Sequence, residues 1–312
     1  NEKFITNSDT EVLIKLFYRL GLESTLEKIN GMFCIGLYNK DTNDLFIIRD
    51  RIGIKQCYIY EDDNKLIFSS TPASIVKTLN DLENKKFILN KTSLFHYLSG
   101  GICLTTETMF EEIKGINTGS YIKINIKKYS KNIKKWWNLS CRNGNIENII
   151  NKSVEIRNRS DAGGYLLYSG GTDSSVISKF SNKFDLLTLD AGEYEFAKNI
   201  SLELGLEDRL HKLPKDFVRK ETNNFIQEQR KIINFIGIPI RASFLMTLCG
   251  KYIKTNNDQN EKKNKIVLSG IGGNELFYGH RRMKLDESGI EDHIKNIYHY
   301  LSQIEPLDND YK

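Results

Sequence analysis

The chain has 312 residues, of which 39% are hydrophobic and 27% are charged, and its formal net charge at pH 7 is +5. This length predicts about two domains, each large enough to bury a core. The small, dispersed positive charge does not indicate nucleic-acid binding. No apolar run is long enough to span a bilayer and no signal-peptide pattern begins the chain, so we expect a cytoplasmic location.

The five cysteines lie far apart in the sequence and form no Cys-x2-Cys pair. They are Cys34, Cys57, Cys103, Cys141 and Cys249. This spacing predicts reduced core residues, with neither a disulfide framework nor a zinc site. The five histidines likewise show no spacing typical of metal ligands.

Short strands and tight turns dominate the first half of the predicted structure. Ser8 and Glu11 predict a capping box before an amphipathic helix, which Gly21 should end. Strands are predicted over 31–38, 44–49, 58–60 and 66–70, each pair joined by a turn. The segment 91–138 should add a short helix and two or three strands. Its lysines are better explained by a solvated edge strand than by a nucleic-acid patch.

The pattern changes after the polar stretch 138–147, where we place the domain boundary. Strands are predicted over 165–168, 185–189 and 265–268. Helices are predicted over 174–180, 193–204 (ending at Gly205) and from about 241 to 252. This alternation predicts a doubly wound parallel sheet, with a site formed by the loops at the carboxyl ends of the strands.

The most specific motif is the string Ser-Gly-Gly-Thr-Asp-Ser-Ser at 169–175, between a predicted strand and helix. Glycines let the backbone approach an anion, and a helix N-terminus attracts phosphate. Asp173 is a suitable ligand for the Mg²⁺ that accompanies pyrophosphate. The alternative is a capped helix after a glycine turn. The full string resembles the pyrophosphate loop of ATP pyrophosphatases, which convert ATP to AMP and pyrophosphate.

Several further motifs occur in a characteristic order along the chain. They lie at 49–55, 68–70, 109–114, Trp137, 157–161, 240–243 and 268–279. With the glycine loop, they make the chain resemble the glutamine-dependent asparagine synthetase family over nearly its whole length. The resemblance implies an antiparallel, N-terminal-nucleophile amidotransferase-like half over 1–140. It implies an ATP pyrophosphatase-type synthetase domain, incomplete at its C-terminus, over 141–312.

The same resemblance assigns candidate roles to particular residues. Pyrophosphate would be bound by Ser169, Gly170, Gly171, Ser174 and Ser175, and Mg²⁺ by Asp173 and, more weakly, Asn274. Leu167, Leu189, Ser269 and Gly270 would surround the adenosine. The alternative for the two leucines is burial in parallel strands. Asp9 would pair with the amino group of glutamine, and its alternative role is a helix cap.

The resemblance also implies an activity, and four departures bear on it. The family's N-terminal cysteine nucleophile precedes Asn1, so no glutaminase activity is expected from these residues alone. Ile271 and Asn274 each stand where the family has an acidic residue, and a later catalytic lysine lies beyond residue 312. We expect an amide-forming ligase using ATP, Mg²⁺, aspartate, and glutamine or ammonia, without nucleic-acid or membrane partners; a homodimer remains open. The alternatives are a β-lactam synthetase or peptide cyclase type, or a non-catalytic nucleotide-binding remnant.

Overall fold

The computed structural model describes residues 3–100, 103, 106–140, 143–159, 163–189, 193–229, 240–256 and 266–273. The described residues form two compact units, which divide between Cys141 and Arg142. Within these ranges, none of the helices combines the length and the apolar content needed to cross a membrane.

The described residues of the first unit form two antiparallel sheets and three helices. In chain order the elements are α1 Asp9–Lys28, β1 Cys34–Asn39, β2 Asp44–Arg49, β3 Tyr58–Glu61, β4 Leu66–Ser69, α2 Pro72–Glu83, α3 Lys91–Gly100, β5 Ile113–Gly115, β6 Ser120–Asn125 and β7 Ser130–Lys135. The sheets have the strand orders β1-β2-β6-β7 and β4-β3-β5. The predicted strands and antiparallel pairing are therefore confirmed, and β7 is the exposed, lysine-rich edge strand.

The larger antiparallel sheet is packed on both faces because adjacent residues of a strand point in opposite directions. Ile48 of β2 packs with Phe17 and Leu26 of α1. Its neighbour Ile47 packs with Ile59, which lies on β3 of the other sheet. The core of the first unit therefore has a helix, a sheet and a second sheet in successive layers.

Of two predictions about α1, one is confirmed and one is wrong. Gly21, with φ of +75° and ψ of 176°, is non-helical and ends the first helical segment, and a second segment follows as far as Lys28. The predicted capping box, in contrast, is incomplete. The Ser8 hydroxyl accepts the Thr10 N–H at 3.2 Å, but the Glu11 carboxylate accepts the N–H groups of Ile5 and Thr6, and not that of Ser8. Glu11 therefore holds the segment before the helix.

The second unit alternates helices and parallel strands. Its elements are α4 Ile146–Arg157, β8 Gly164–Leu167, α5 Thr172–Phe180, β9 Phe184–Leu189, α6 Tyr194–Glu203, a short 3₁₀ turn Glu207–Arg209, β10 Leu210–Leu213, α7 Lys215–Gln229, α8 Ile240–Asn256 and β11 Ile266–Leu268. All pairs in the sheet β10-β9-β8-β11 are parallel. The predicted parallel sheet is confirmed, while α4, β10 and α7 add elements that the sequence patterns did not predict.

Helices cover both faces of the parallel sheet. On one face, Leu166 of β8 packs in a cluster with Ala197 of α6. On the other, Leu187 of β9 packs with Leu248 of α8. This arrangement is doubly wound, as predicted, and it leaves the carboxyl ends of the strands as the edge where polar loops gather.

The cysteines are only partly as expected from the sequence. Cys57 and Cys249 are buried, but the Sγ atoms of Cys34 and Cys57 lie 2.7 Å apart although 22 residues separate them. Cys141 lies outside the described residues. No cluster of three or more histidine, cysteine or acidic side chains suited to a metal occurs within the described part of the chain.

Candidate active site

Three neighbouring strands of the parallel sheet end at the same edge. Leu167 is the last residue of β8, Leu189 is the last residue of β9, and Ser269 directly follows β11. Because β8 lies between β9 and β11, the loops that follow these strands start side by side. The structure therefore brings together the sequence-predicted residues of the second unit that it describes.

The glycine loop after β8 is shaped by its serines. The Ser174 hydroxyl donates to the carbonyl of Gly171 at 3.1 Å, and the Ser175 hydroxyl donates to that of Gly170 at 3.3 Å. The N–H of Gly171 donates to the Ser169 hydroxyl at 3.3 Å. Ser174 is only 5% exposed, whereas Ser169 is on the surface. Ser174 thus supports the loop from inside, and Ser169 can contact a ligand.

Gly170 is required by both conformation and packing. Its φ is +75°, a region that side-chain-bearing residues rarely adopt. A Cβ atom at this position would lie 2.9 Å from the Cα of Ala197 in α6. The loop backbone therefore lies directly against α6, which only a glycine permits.

The N-terminus of α5 carries no side-chain cap. Gly171 occupies the N-cap position, and no side chain there accepts a helix N–H. The first N–H groups of a helix have no partner within it, and they carry the positive end of the helix dipole. The capped-helix alternative for Asp173 therefore has no support in the structure, and this helix end is suited to an anion.

A second glycine loop, which follows β11, packs directly on Asp173. A Cβ atom at Gly273 would lie 2.5 Å from Cγ of Asp173, and one at Gly270 would lie 3.0 Å from its Cβ. The N–H of Gly273 donates to the Gly270 carbonyl at 3.2 Å, so the loop turns tightly. The two loops together form what we call the glycine cradle: Ser169–Ser175 and Ser269–Gly273.

Gly273 was not among the candidate site residues from the sequence. The available signal was a glycine pair soon after a predicted strand, in a loop expected at the same sheet edge. Its role depends on a contact with Asp173, which is 100 positions earlier in the chain. Sequence spacing alone does not indicate such a contact.

The two candidate leucines have side chains that are partly committed to the core. Leu167 and Leu189 are half-buried and pack against the cluster that contains Leu213 and Leu248. Burial in a parallel strand, the alternative considered from the sequence, is therefore observed. Their backbone groups still lie at the carboxyl edge of the sheet, beside the cradle.

The donor set of the cradle fits a cation that is shared with a phosphate. Asp173 supplies a hard carboxylate oxygen, and the glycines at 270 and 273 leave free the volume that a side chain would fill. Mg²⁺ is commonly held by one or two carboxylates together with substrate phosphates. Ile271 is 67% exposed and supplies no ligand. Asn274, the second candidate ligand, lies outside the described residues.

The candidate of the first unit, Asp9, is the first residue of α1 and is exposed. Its carboxylate accepts a 3.4 Å hydrogen bond from the Thr10 hydroxyl. Ser8, and not Asp9, is the N-cap of this helix. The helix-cap alternative for Asp9 therefore does not hold, and its carboxylate remains accessible.

Two domain families match this chain. A glutamine amidotransferase domain matches residues 1–137, and asparagine synthase matches residues 145–303. These matches place a glutamine amidotransferase family domain before an asparagine synthase family domain. The chain belongs to the asparagine synthase family.

Curated relatives agree with these matches. The chain is 28% identical to asparagine synthetase [glutamine-hydrolyzing] 1 of Bacillus subtilis, over 89% of this chain and 44% of the relative. It is 25% identical to putative asparagine synthetase [glutamine-hydrolyzing] 2 of Methanocaldococcus jannaschii, over 88% of this chain and 54% of the relative. It is 31% identical to the Microcin J25-processing protein McjC of Escherichia coli, over 64% and 39%. The chain therefore spans about half the length of the first two relatives.

Proposed function

We propose that this chain carries the ATP-binding part of an amide-forming ligase of the asparagine synthetase type. The observation that carries the proposal is the convergence of two glycine loops on Asp173 at the uncapped N-terminus of α5. Backbone N–H groups and a positive helix end attract phosphate, and the absence of side chains lets the phosphate approach. The activity and substrates of the whole protein, and a cytoplasmic location, are part of the same proposal.

In this proposal the cradle binds the pyrophosphate part of ATP. Gly170 and Gly171 bring the backbone to the phosphates, and Ser169 provides a hydroxyl donor. Ser174 keeps the loop in shape, and the Ser175 hydroxyl would exchange its hydrogen bond to the Gly170 carbonyl for one to phosphate. Asp173 holds Mg²⁺, which when bound compensates the charge of the phosphates. Leu167, Leu189, Ser269 and Gly270 border the adenosine.

The proposed reaction has two steps. A carboxylate oxygen of the acceptor, aspartate, attacks the α-phosphorus of ATP, and the bond to the bridging oxygen breaks to release pyrophosphate. Ammonia then attacks the acyl carbon, loses a proton, and displaces AMP. The cradle stabilises the negative charge that develops on the departing pyrophosphate. Ammonia would come from glutamine, whose amino group Asp9 would bind.

One comparison favours a second candidate function. The chain is 31% identical to a protein that by its name processes microcin J25, and the second candidate is therefore an amide-forming relative of the peptide cyclase type. Such an enzyme would use the same ATP chemistry, with a peptide carboxylate as acceptor. The two candidates differ in the acceptor that stimulates pyrophosphate exchange.

Pyrophosphate–ATP exchange by the full chain, with Mg²⁺ and aspartate, tests the leading proposal. We expect exchange that depends on aspartate and is lost in Asp173→Ala. The matched control is Glu195→Ala, because Glu195 is an exposed acid at the second residue of α6, just as Asp173 is the second residue of α5. The two changes have similar effects on a helix dipole, below about 1 kcal/mol each, but only Asp173 lies in the cradle.

The outcomes separate the alternatives. No exchange by the folded, Mg²⁺-supplied chain with any acceptor would overturn the ligase proposal. Calorimetry with ATP and Mg²⁺ would then decide whether a non-catalytic nucleotide-binding remnant remains. Exchange stimulated by a peptide and not by aspartate would favour the second candidate. An equal loss of exchange in Glu195→Ala would contradict the assigned role of Asp173.

A further inference from the structure

Cys34 and Cys57 bring the two antiparallel sheets of the first unit within reach of a covalent bond. Cys34 is the first residue of β1, and Cys57 immediately precedes β3 of the other sheet. Their Sγ atoms are 2.7 Å apart, and a disulfide bond is about 2.05 Å long. A small approach of the two side chains is therefore enough to join the sheets.

The surroundings give the two thiols different properties. Cys57 is fully buried in the core cluster that contains Ile47 and Ile59, whereas Cys34 is partly exposed. A hydrogen bond links the Cys34 and Cys57 sulphurs. This bond, aided by the charge of Arg49, lowers the pKa of Cys34 although partial burial opposes the change. The same hydrogen bond and burial raise the pKa of Cys57.

Reactivity and access therefore favour the same sulphur. The thiolate is the form that attacks a disulfide, and a lower pKa increases its population. Cys34 has both the lowered pKa and the exposure to meet a small reagent from solvent. Cys57 has neither, but it lies beside Cys34 and can resolve a mixed disulfide formed there.

We propose that Cys34 and Cys57 are a redox-active pair that forms a reversible disulfide with a low-molecular-weight disulfide such as oxidised glutathione. The Cys34 thiolate attacks one sulphur of the reagent, whose S–S bond breaks and releases one thiol. Cys57 then gives up its proton and attacks Cys34 in the mixed disulfide, releasing the second thiol. One S–S bond forms, one breaks, and two electrons and two protons pass from the protein to the reagent.

The disulfide would close the segment 34–57, which contains β2 and the turn that connects it to β3. Closing a loop of this length restricts the unfolded chain. For a unit of this size we expect oxidation to raise the melting temperature of the first unit by about 5 °C or more. Reduction should reverse the shift.

The test uses the full chain treated with oxidised glutathione, followed by alkylation of remaining thiols and peptide mass spectrometry. We expect a peptide cross-linked through Cys34 and Cys57. The number of alkylated cysteines should fall by two from the five of the reduced chain. Dithiothreitol should restore all five. Cys103→Ala, the matched control, should retain the cross-link, and Cys34→Ala should lose it together with the melting shift.

Three outcomes would overturn the proposal. In the first, all five cysteines are alkylated throughout the oxidation series. In the second, Cys34 remains in a mixed disulfide with glutathione, and in the third it is cross-linked to a cysteine other than Cys57. Each is read from the unmodified sequence, so the result does not depend on the folding of a variant. Restoration of thiols by dithiothreitol distinguishes a disulfide from irreversible oxidation, which would also contradict reversibility.

Discussion

Two polar turns of this molecule each contain an aspartate and a glycine, and they use the aspartate in opposite ways. In the first unit, Arg49 is the last residue of β2, and Asp50 and Arg51 begin the turn that follows it. Asp50 is 1% exposed, and its carboxylate accepts the N–H groups of Phe33, Ile54 and Lys55. Arg49 and Arg51 donate to backbone carbonyls, including those of Ile116 and Ile29. The hydrogen-bonding groups of these charged side chains therefore hold the backbone in place.

The glycine cradle of the second unit differs. Its serines shape the loop, but the N-terminus of α5 has no side-chain cap, and two glycines of a second loop lie against the partly exposed Asp173. Buried polar groups need partners in the fold, as Asp50 has. A carboxylate and a row of helix N–H groups that are not used in this way can bind a ligand. A structural turn and a candidate binding loop therefore differ in how their polar groups are used, more than in which residues they contain.

The largest effect on this comparison should come from Asp50→Ala. The change leaves three backbone N–H groups without their acceptor in a buried turn, so we expect a loss of about 3 kcal/mol in the free energy of unfolding of the first unit. Urea unfolding of the full chain measures it. Asp63→Ala, at an exposed site of the same unit, is the control and should change little. A loss below about 1 kcal/mol would show that the turn does not depend on Asp50.

Gly273→Ala tests whether ligand binding by the glycine cradle requires the second loop to lie close to Asp173. The added Cβ would lie 2.5 Å from Cγ of Asp173, so the loop or the carboxylate must move. Since small misplacements of binding groups are costly, we expect affinity for ATP with Mg²⁺ to fall about tenfold or more in calorimetry. Gly250→Ala in α8 is the control, because nothing lies within 4 Å of its added Cβ. Unchanged binding in Gly273→Ala would contradict closure of the two loops on Asp173.

A smaller effect on stability is expected at Asp44, whose carboxylate is also hydrogen-bonded within the fold. Hydrogen bonds from Lys123 and Asn125 on the neighbouring strand lower the pKa of Asp44 from 3.8 to about 2. A lowered folded-state pKa contributes stability that is present above 3.8 and is lost as the pH falls through about 2. Asp44→Asn should therefore reduce the acid sensitivity of unfolding across this window.

Urea unfolding at pH values on either side of that window measures the difference for Asp44. Asp41→Asn, at an exposed position of the preceding turn, provides the control and should leave the acid dependence as it is. An acid dependence that is the same in Asp44→Asn and the unmodified chain would contradict a role for these hydrogen bonds.

Local patterns predicted much of the fold. A short apolar run bounded by turn residues predicted β2, and the alternation of isoleucines with polar residues at 122–127 predicted β6, because successive side chains of a strand point to opposite faces. The glycine loop and its flanking strand and helix were also predicted, since the signals for all three are contiguous. α2 was missed although Thr71 and Pro72 form an N-terminal signature, with the Thr71 side chain accepting the Ser74 N–H.

Signals that depend on partners elsewhere in the chain were less informative. Gly21 correctly indicated a break in the helix, but the helical segment that follows it was not predicted. That segment includes Leu26, which is fully buried with Phe17 and Ile48. Glu11 satisfied the spacing of a capping box, yet its carboxylate binds Ile5 and Thr6. In each case a nearby partner outside the motif decided the geometry.

By itself, the sequence determined the two kinds of sheet, the strand–loop–helix around Asp173 and the family, because these depend on contiguous or ordered motifs. Only the tertiary structure brought Gly270 and Gly273 onto Asp173 and placed Cys34 beside Cys57. The first contact arises because β11 pairs with β8, and the second because two sheets pack face to face. Both contacts join residues that are distant in the chain, and pairing and packing decide which distant residues meet.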